Sequence, residues 1–178
     1  IIHINNTMKR LVILCFALLL TLPTFAQDSN SNEKTTTYYF IRHAEKDRSD
    51  KTNKDPNLIQ KGVLRAAKWS FVLENIEFDA VYSTNYNRTK QTAQPTAEKK
   101  GVEVTIYDPR QLFSEEFANN TLGKTVLVVG HSNTTPAFVN AVLGTKKYDS
   151  IDDNNNANLY IVTISPSGEK SDTLLVIN

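Results

Sequence analysis

A run of β-branched and aromatic residues from Thr37 to Ile41 ends abruptly at Arg42 and His43. This composition is typical of a buried strand, whereas a guanidinium beside an imidazole is costly inside a hydrophobic core. In an open α/β sheet, ligands bind beyond the carboxyl ends of the strands. The Arg42-His43 pair therefore predicts an anion-binding site at the end of this first strand.

Apolar runs of strand length alternate with segments of helical periodicity along the rest of the chain. The later predicted strands cover residues 79–83, 102–107, 125–129, 158–164 and 173–177. The predicted helices cover 60–76, 87–100, 109–120 and a segment from the Gly130–Asn133 turn to about Leu143. In the first helix, the apolar residues near helical spacing are Val63, Ala66, Ala67, Phe71, Val72 and Ile76. This alternation predicts a three-layer α/β/α sandwich with a mostly parallel sheet and an antiparallel edge strand.

The chain has 178 residues, which is enough for one domain with a sizeable core. We expect that domain to cover 37–178, after a disordered polar linker over 27–36. The only cysteine is Cys15, so the domain itself has no thiol nucleophile and no internal disulfide. The 20 basic residues nearly balance the 19 acidic ones, and no basic run with interleaved aromatic residues suggests a nucleic-acid partner.

An apolar run from Leu11 to Leu22 follows a basic start and precedes small residues, which is the pattern of a secretory signal peptide. We therefore expect residues 1–26 to be a leader that is cleaved before Gln27, with 1–7 lying upstream of the true start at Met8. The protein would then be secreted or periplasmic, without membrane contact after cleavage. The alternative is a retained N-terminal anchor helix.

A second histidine, His131, also follows a predicted buried strand directly. If the two strands are neighbours, His43 and His131 lie on the same edge of the sheet. Arg88 falls in the first turn of a predicted helix, where the helix dipole disfavours a cation unless an anion is bound nearby. Arg42 and Arg88 would then flank the two imidazoles of one anion site. The alternative to such a site is that His43 and His131 are independent core histidines.

Three short motifs stand at the carboxyl ends of predicted strands. They are Arg42-His43-Ala44-Glu45, the run 83–93 that contains Arg88, and Gly130-His131-Ser132-Asn133-Thr134. In order and spacing they resemble the histidine phosphatase superfamily, also called phosphoglycerate mutase-like, and the resemblance covers the chain from Thr37 onward. One departure is Ala44, where the family most often has glycine.

The resemblance implies that His43 is the nucleophile, which forms a phosphohistidine, and that Arg42, Arg88 and His131 bind the phosphoryl group. Phosphoryl transfer needs in-line positioning and neutralised charge on three oxygens, and two guanidiniums with a histidine supply both without a metal or another cofactor. An attacking imidazole must be neutral, which a hydrogen bond from its other nitrogen to a backbone carbonyl would ensure.

The helix after His131 would add backbone N–H donors to this site, with Ser132 or Asn133 as its cap. We therefore also expect Ser132 among the phosphate-binding residues. The loop over 46–58 and the segment 108–122 are expected to line the mouth of the site.

The motifs do not determine the proton donor for an ester leaving group. Asn133 excludes an acid close after His131. Asp108, at the end of the third predicted strand, is the first candidate, and it could equally be a turn residue. The next candidates are Glu45, then Glu115 and Glu116. By the resemblance, short phosphohistidine-cleaving members need no obvious donor, because their leaving group is already good.

These features together predict a metal-independent phosphatase of the histidine acid phosphatase type, acting on a small phosphorylated substrate. One alternative is a phosphate- or phosphoester-binding module that has kept the fold and lost turnover. Another is a metal hydrolase, which the nearby arginines disfavour because they would repel a cation. Its ligands would be His43, Glu45, His131 and Asp108.

Overall fold

The structure, a computed structural model, describes residues 34–178. The predicted leader and residues 27–33 of the predicted linker lie outside the described residues. Thr36, which the sequence pattern assigns to the linker, is buried at the start of the first strand, where its hydroxyl accepts a hydrogen bond from the Gly123 N–H. Among residues 34–178, no helix has the length and the apolar character needed to cross a bilayer.

Six strands form one sheet within the described residues. They are β1 (Thr36–Arg42), β2 (Ala80–Ser83), β3 (Val104–Ile106), β4 (Thr125–Gly130), β5 (Asn158–Ile164) and β6 (Lys170–Val176). Their order is β3-β2-β4-β1-β5-β6, and the pairs among the first four strands are all parallel. β5 runs antiparallel to β1, and β6 runs antiparallel to β5. The predicted mostly parallel sheet is confirmed, with an antiparallel hairpin at its edge.

Helices cover both faces of this sheet. They are α1 (Gln60–Val72), α2 (Asn87–Lys100), α3 (Glu115–Thr121) and α4 (Thr134–Leu143). α1 and α2 pack on one face and α3 and α4 on the other, which confirms the predicted three-layer α/β/α sandwich. α2 and α4 end at the predicted positions, because Gly101 and Gly144 adopt positive φ there (66° and 76°).

Successive residues of β1 enter opposite halves of the core. Phe40 packs beside Phe138 of α4, whereas Ile41 lies in the cluster that includes Trp69 of α1, and all four side chains are buried. A strand that is covered on both faces needs apolar residues at every position, which explains the continuous apolar run of β1. The end of β1 is therefore held by packing from both sides.

The buried face of α1 differs from the one that the apolar spacing predicts. Val63 and Phe71 are exposed, Phe71 by 67%, whereas Trp69 is only 1% exposed. The indole offers more apolar area than either of the exposed side chains, so burying it decides which side of the helix turns inward. α1 also ends at Val72, before the predicted end at Ile76.

The predicted helix over 109–120 is also shorter in the structure. α3 begins at Glu115, and residues 109–114 form turns and irregular backbone. The Ser114 hydroxyl accepts a hydrogen bond from the Phe117 N–H at 3.1 Å, which satisfies one free donor of the first helical turn. The serine therefore sets the start of α3.

α1 lies very close to the backbone that follows β1. The Glu45 carbonyl accepts a hydrogen bond from the Ile59 N–H at 3.0 Å. A Cβ atom on Gly62 would lie 2.2 Å from that same carbonyl oxygen, so only glycine allows this approach. The contact holds the chain two residues after His43 against the helix.

Gly62→Ala therefore tests this approach, with Leu64→Ala on the exposed side of the same helix as its control. Replacing an ordinary helical glycine by alanine stabilises by roughly 0.5–1 kcal/mol. Here the methyl group must displace backbone, and such overpacking costs about 1–3 kcal/mol. We expect a lower urea midpoint for Gly62→Ala, and a change within about 0.5 kcal/mol for the control. A Gly62→Ala protein as stable as the wild type would contradict the close contact.

Candidate active site

The two histidines lie side by side at the carboxyl end of the sheet. β1 and β4 pair in parallel with Arg42 opposite Gly130, so each strand delivers its histidine at the same level. The His43 N–H donates to the Gly130 carbonyl at 2.9 Å, and the centroids of the two imidazole rings are 5.4 Å apart. The strand pattern predicted this shared edge, and the pairing of β1 with β4 accounts for it.

His43 is a neutral imidazole with one free nitrogen. Its Nδ1 lies 2.7 Å from the Ala44 carbonyl oxygen, which can only accept, so Nδ1 carries the proton and Nε2 carries the lone pair. Asn156 donates from its amide to the His43 carbonyl at 2.8 Å. Burial lowers the pKa of His43 to about 3, and the nearby guanidiniums act in the same direction. Nε2 is therefore unprotonated at neutral pH.

His131 is held by a chain of hydroxyl groups. Its Nε2 lies 2.9 Å from the Thr84 hydroxyl, which itself donates to the Thr89 hydroxyl at 2.9 Å. Thr84 therefore accepts from the Nε2–H, and the lone pair on Nδ1 faces Arg88 Nη2 at 3.5 Å. Burial, followed by the charge of Arg88, lowers the pKa of His131 to about 4.

Arg88 lies in the first turn of α2 and is only 9% exposed. Its Nε and Nη1 are buried and find no hydrogen-bond partner among the described residues. Asp55 Oδ1 lies 3.5 Å from Nη1, but this oxygen already accepts from the Asn87 N–H at 2.8 Å. A buried donor without a partner costs about 1–3 kcal/mol, so a bound anion would relieve Arg88.

Arg42 is held by the turn between α4 and β5. Its Nη1 donates to three backbone carbonyls, those of Asp152, Asp153 and Asn155, at 2.8, 3.1 and 2.8 Å. Its Nη2 donates to the Asp153 carboxylate at 2.7 Å, and its Nε is buried without a partner within the described part of the chain. The terminal nitrogens are thus occupied, and Nε is the donor that stays unused.

The predicted phosphate-binding side chains surround one cavity of about 350 Å³. Its wall includes Arg42, His43, Arg88, His131 and Ser132. The cavity is therefore lined by two guanidiniums and two neutral imidazoles, and it is large enough for a phosphoryl group. Electrostatics and unused donors both favour an anion at this position.

The start of α4 differs in detail from the prediction. Asn133 occupies the position before the helix, but its side chain makes no capping hydrogen bond there. The Thr134 hydroxyl instead accepts from the His131 N–H at 3.0 Å. Asn133 is therefore the cap residue by position, as expected, but its side chain has no donor to accept from, since the Thr135 N–H already donates to the His131 carbonyl and Pro136 has no N–H.

The two leading candidates for the proton donor, Asp108 and Glu45, are each paired with an arginine. Asp108 pairs with Arg110, whose Nη2 lies 2.7 Å from Oδ2, and it also accepts the Arg110 backbone N–H at 2.9 Å. Asp108 is thus a turn residue outside the histidine cavity, which corrects its place as the first candidate. Glu45 accepts from Arg65 Nε at 2.9 and 3.0 Å, and it lines an adjoining cavity with His43.

These positions also bear on the metal-hydrolase alternative. Asp108 and Glu45 each face an arginine and do not converge with the two histidines. Over residues 34–178, no group of three or more His, Cys, Asp or Glu side chains is close enough to hold a metal ion.

The histidine cavity is also lined by Lys46, Tyr86 and Asp153, which the sequence analysis did not single out, although Lys46 begins the loop that it expected at the mouth of the site. The Tyr86 ring centroid lies 4.4 Å from the Arg88 guanidinium carbon and 5.0 Å from that of the His131 ring. Lys46 directly follows the first motif and Tyr86 lies within the second, so their positions in the sequence were a usable signal. Asp153 belongs to a polar turn far along the chain, and no local pattern marked it.

The part of the chain that carries the first two motifs matches a known family. Residues 38–109 match the model of the histidine phosphatase superfamily (branch 1). The predicted resemblance to the histidine phosphatase superfamily is thus confirmed. The matched residues include Arg42, His43 and Arg88, and His131 lies beyond them. No curated protein matches the sequence.

Solved structures share the histidine phosphatase fold with this chain. The protein histidine phosphatase SixA in complex with tungstate aligns with a TM-score of 0.61 at 15% identity, over 79% of this chain and 96% of SixA. The phosphoglycerate mutase from Bacillus anthracis str. Sterne aligns with a TM-score of 0.60 at 16% identity, over 82% and 94%. These likenesses show the phosphoglycerate mutase-like α/β fold, as the motifs implied.

The depressed pKa values of the histidines can be tested by NMR. We expect the ring nitrogens of His43 to show the Nδ1–H tautomer and no titration between pH 8 and pH 5, since its pKa is about 3. Arg88→Met should raise the pKa of His131, because the charge of Arg88 helps to lower it. Signals are assigned with His43→Gln and His131→Gln. A midpoint for His43 near the ordinary value of about 6.5 would contradict the buried neutral imidazole.

Proposed function

We propose that the protein is a phosphomonoesterase that works through a phosphohistidine on His43. The observation that carries this proposal is one cavity that holds both a neutral imidazole with a free Nε2 and the buried Arg88, with two unused donors. A nucleophile and an anion site so close together suit phosphoryl transfer.

In the first step, His43 Nε2 attacks phosphorus and the bond from phosphorus to the leaving oxygen breaks. Arg88 and Arg42 Nε neutralise the equatorial oxygens, and His131 lies on the same side of the cavity. In the second step, the oxygen of a water molecule attacks phosphorus, the phosphorus–nitrogen bond breaks, and inorganic phosphate leaves. The electron pair of that bond returns to Nε2, which restores the neutral imidazole.

The leaving oxygen must receive a proton from somewhere if the leaving group is a poor one. Of the carboxylates that line the histidine cavity and the adjoining one, Asp153 and Glu45 are both ion-paired with arginines. The hydrogen bonds from Arg48 and Arg42 hold the pKa of Asp153 far below its ordinary value, so it is a poor acid. We infer that substrates with good leaving groups suit this site best.

We also infer that the protein acts outside the cytoplasm on a small phosphorylated substrate, with no nucleic acid and no membrane as partner. The support is the apolar run Leu11–Leu22 after a basic start, together with the balanced charge of the chain. A cysteine-free domain is compatible with an oxidising compartment.

A second candidate function is a phosphate-binding module of the same fold without turnover. The observation that favours it is the orientation of Asp108 and Glu45, which leaves the cavity without a free carboxylic acid among the described residues. The free Nε2 of His43 favours the enzyme, because a module that only binds phosphate has no need of a nucleophile in the cavity.

Hydrolysis of p-nitrophenyl phosphate in the presence of a chelator tests the proposal. We expect turnover by the wild type and loss of turnover in His43→Ala, because no other nucleophile replaces Nε2. Arg88→Lys should lower kcat by about 10²–10³-fold, the usual effect of losing one such transition-state contact. The control is Lys51→Met, an exposed residue of the 46–58 loop. A folded wild type that binds vanadate without turnover would favour the binding module.

The dependence of kcat/KM on the leaving group tests whether a side chain donates a proton to the leaving oxygen. We expect kcat/KM to fall steadily from p-nitrophenyl phosphate to phenyl phosphate and then to alkyl phosphates, since the departing oxygen carries more charge as its pKa rises. kcat/KM is the informative quantity because it reports the step that breaks the ester bond, even if hydrolysis of the phosphohistidine limits kcat. Equal values across the series would reveal a side chain that donates a proton.

A further inference from the structure

The histidine cavity opens onto a second cavity of about 400 Å³. His43, Lys46 and Asp153 line both of them, so the two spaces meet at the nucleophile. A phosphoryl group beside His43 therefore leaves the rest of the substrate free to extend past Lys46. The second cavity is where a leaving group of some length would lie.

The charged side chains of this second cavity are mostly paired. Arg48 binds both carboxylate oxygens of Asp153, at 2.6 and 2.9 Å. Glu45 accepts from Arg65 and lies 3.5 Å from the Lys61 ammonium group. Each carboxylate is thus shared between two cations, because Asp153 also accepts from Arg42, so this wall carries excess positive charge even before Lys46 is counted.

Lys46 is the exception in this wall. It is partly buried, and its ammonium group forms no ion pair with a carboxylate of residues 34–178. Burial and the positive charges of Arg88 and Arg48 lower the pKa of Lys46. An unpaired cation among other cations is unfavourable on its own, and an anion beside it would offset that cost.

We propose that Lys46 binds a second acidic group on the substrate, so that the preferred substrates are phosphomonoesters whose leaving group carries a carboxylate or another phosphate. This inference rests on the proposed function. Lys46 is then a specificity residue: it contacts the leaving group, while Arg88, Arg42 and His131 hold the phosphoryl group.

Matched aryl phosphates test this role. The acid is 4-(carboxymethyl)phenyl phosphate, and its neutral partner is the corresponding amide, which has nearly the same size and leaving-group chemistry. The 3-substituted isomers place the acidic group at a different distance and so allow for the reach of Lys46. The measurement is the ratio of kcat/KM for acid over amide, in the wild type, in Lys46→Met and in the Lys51→Met control.

We expect at least one wild-type acid-to-amide ratio of about tenfold, as for a hydrogen bond to a charged group of roughly 1.5 kcal/mol. Lys46→Met should bring that ratio close to one. Lys51→Met removes the same charge from the same loop but lies outside both cavities, so it should keep the ratio and the basal activity.

The other outcomes overturn the inference in distinguishable ways. Ratios near one in the wild type, with both esters hydrolysed, would contradict the proposed preference for a second acidic group and would leave the proposed phosphatase activity supported. A high ratio that survives Lys46→Met would assign the preference to another residue. Absence of turnover with every ester would contradict the proposed function, and this inference, which rests on it, would fail as well.

Discussion

The parallel pairing of β1 with β4 is the constraint on which the site depends. Because Arg42 stands opposite Gly130, the residues that follow, His43 and His131, leave the sheet at the same level. A slip of one residue would turn each side chain of one strand to the other face and separate the imidazoles. Helices on both faces prevent such a slip, since every residue near the ends of the two strands is buried. The chemistry therefore depends on the packing of the core.

Burial and positive charge act together within the site. Arg42 and Arg88 are almost fully buried, and both histidines have depressed pKa values. A protonated imidazole between these guanidiniums would be unfavourable, so the cations that attract an anion also keep the nucleophile unprotonated. Because Arg88 has two unused donors, much of the hydrogen-bonding free energy that the site can offer is gained only once an anion is bound. The same feature that destabilises the empty site thus favours its ligand.

The sequence was sufficient for the parts of this structure that depend on local patterns. Continuous apolar runs located β1 and β4, and Gly101 and Gly144 located the ends of two helices. The same patterns failed for α1, where Trp69 rather than Phe71 is buried, because that choice depends on the partners available in the core. The role of proton donor for Asp108 could not be judged from the sequence for a similar reason. Its carboxylate pairs with its neighbour Arg110, and a position near the end of a strand does not reveal such side-chain pairing.

Arg42 shows most clearly what the sequence could not reveal. Its motif marks it as a phosphate ligand, yet in the structure three backbone carbonyls and the Asp153 carboxylate hold its two terminal nitrogens. A side chain held by four acceptors cannot swing toward a substrate, so its Nε and its charge are placed before any ligand arrives. Such preorganisation lowers the reorganisation needed during phosphoryl transfer. Those acceptors come from the turn before β5, more than 100 residues after Arg42, so the segment that leads into the edge hairpin also positions the arginine of the first motif.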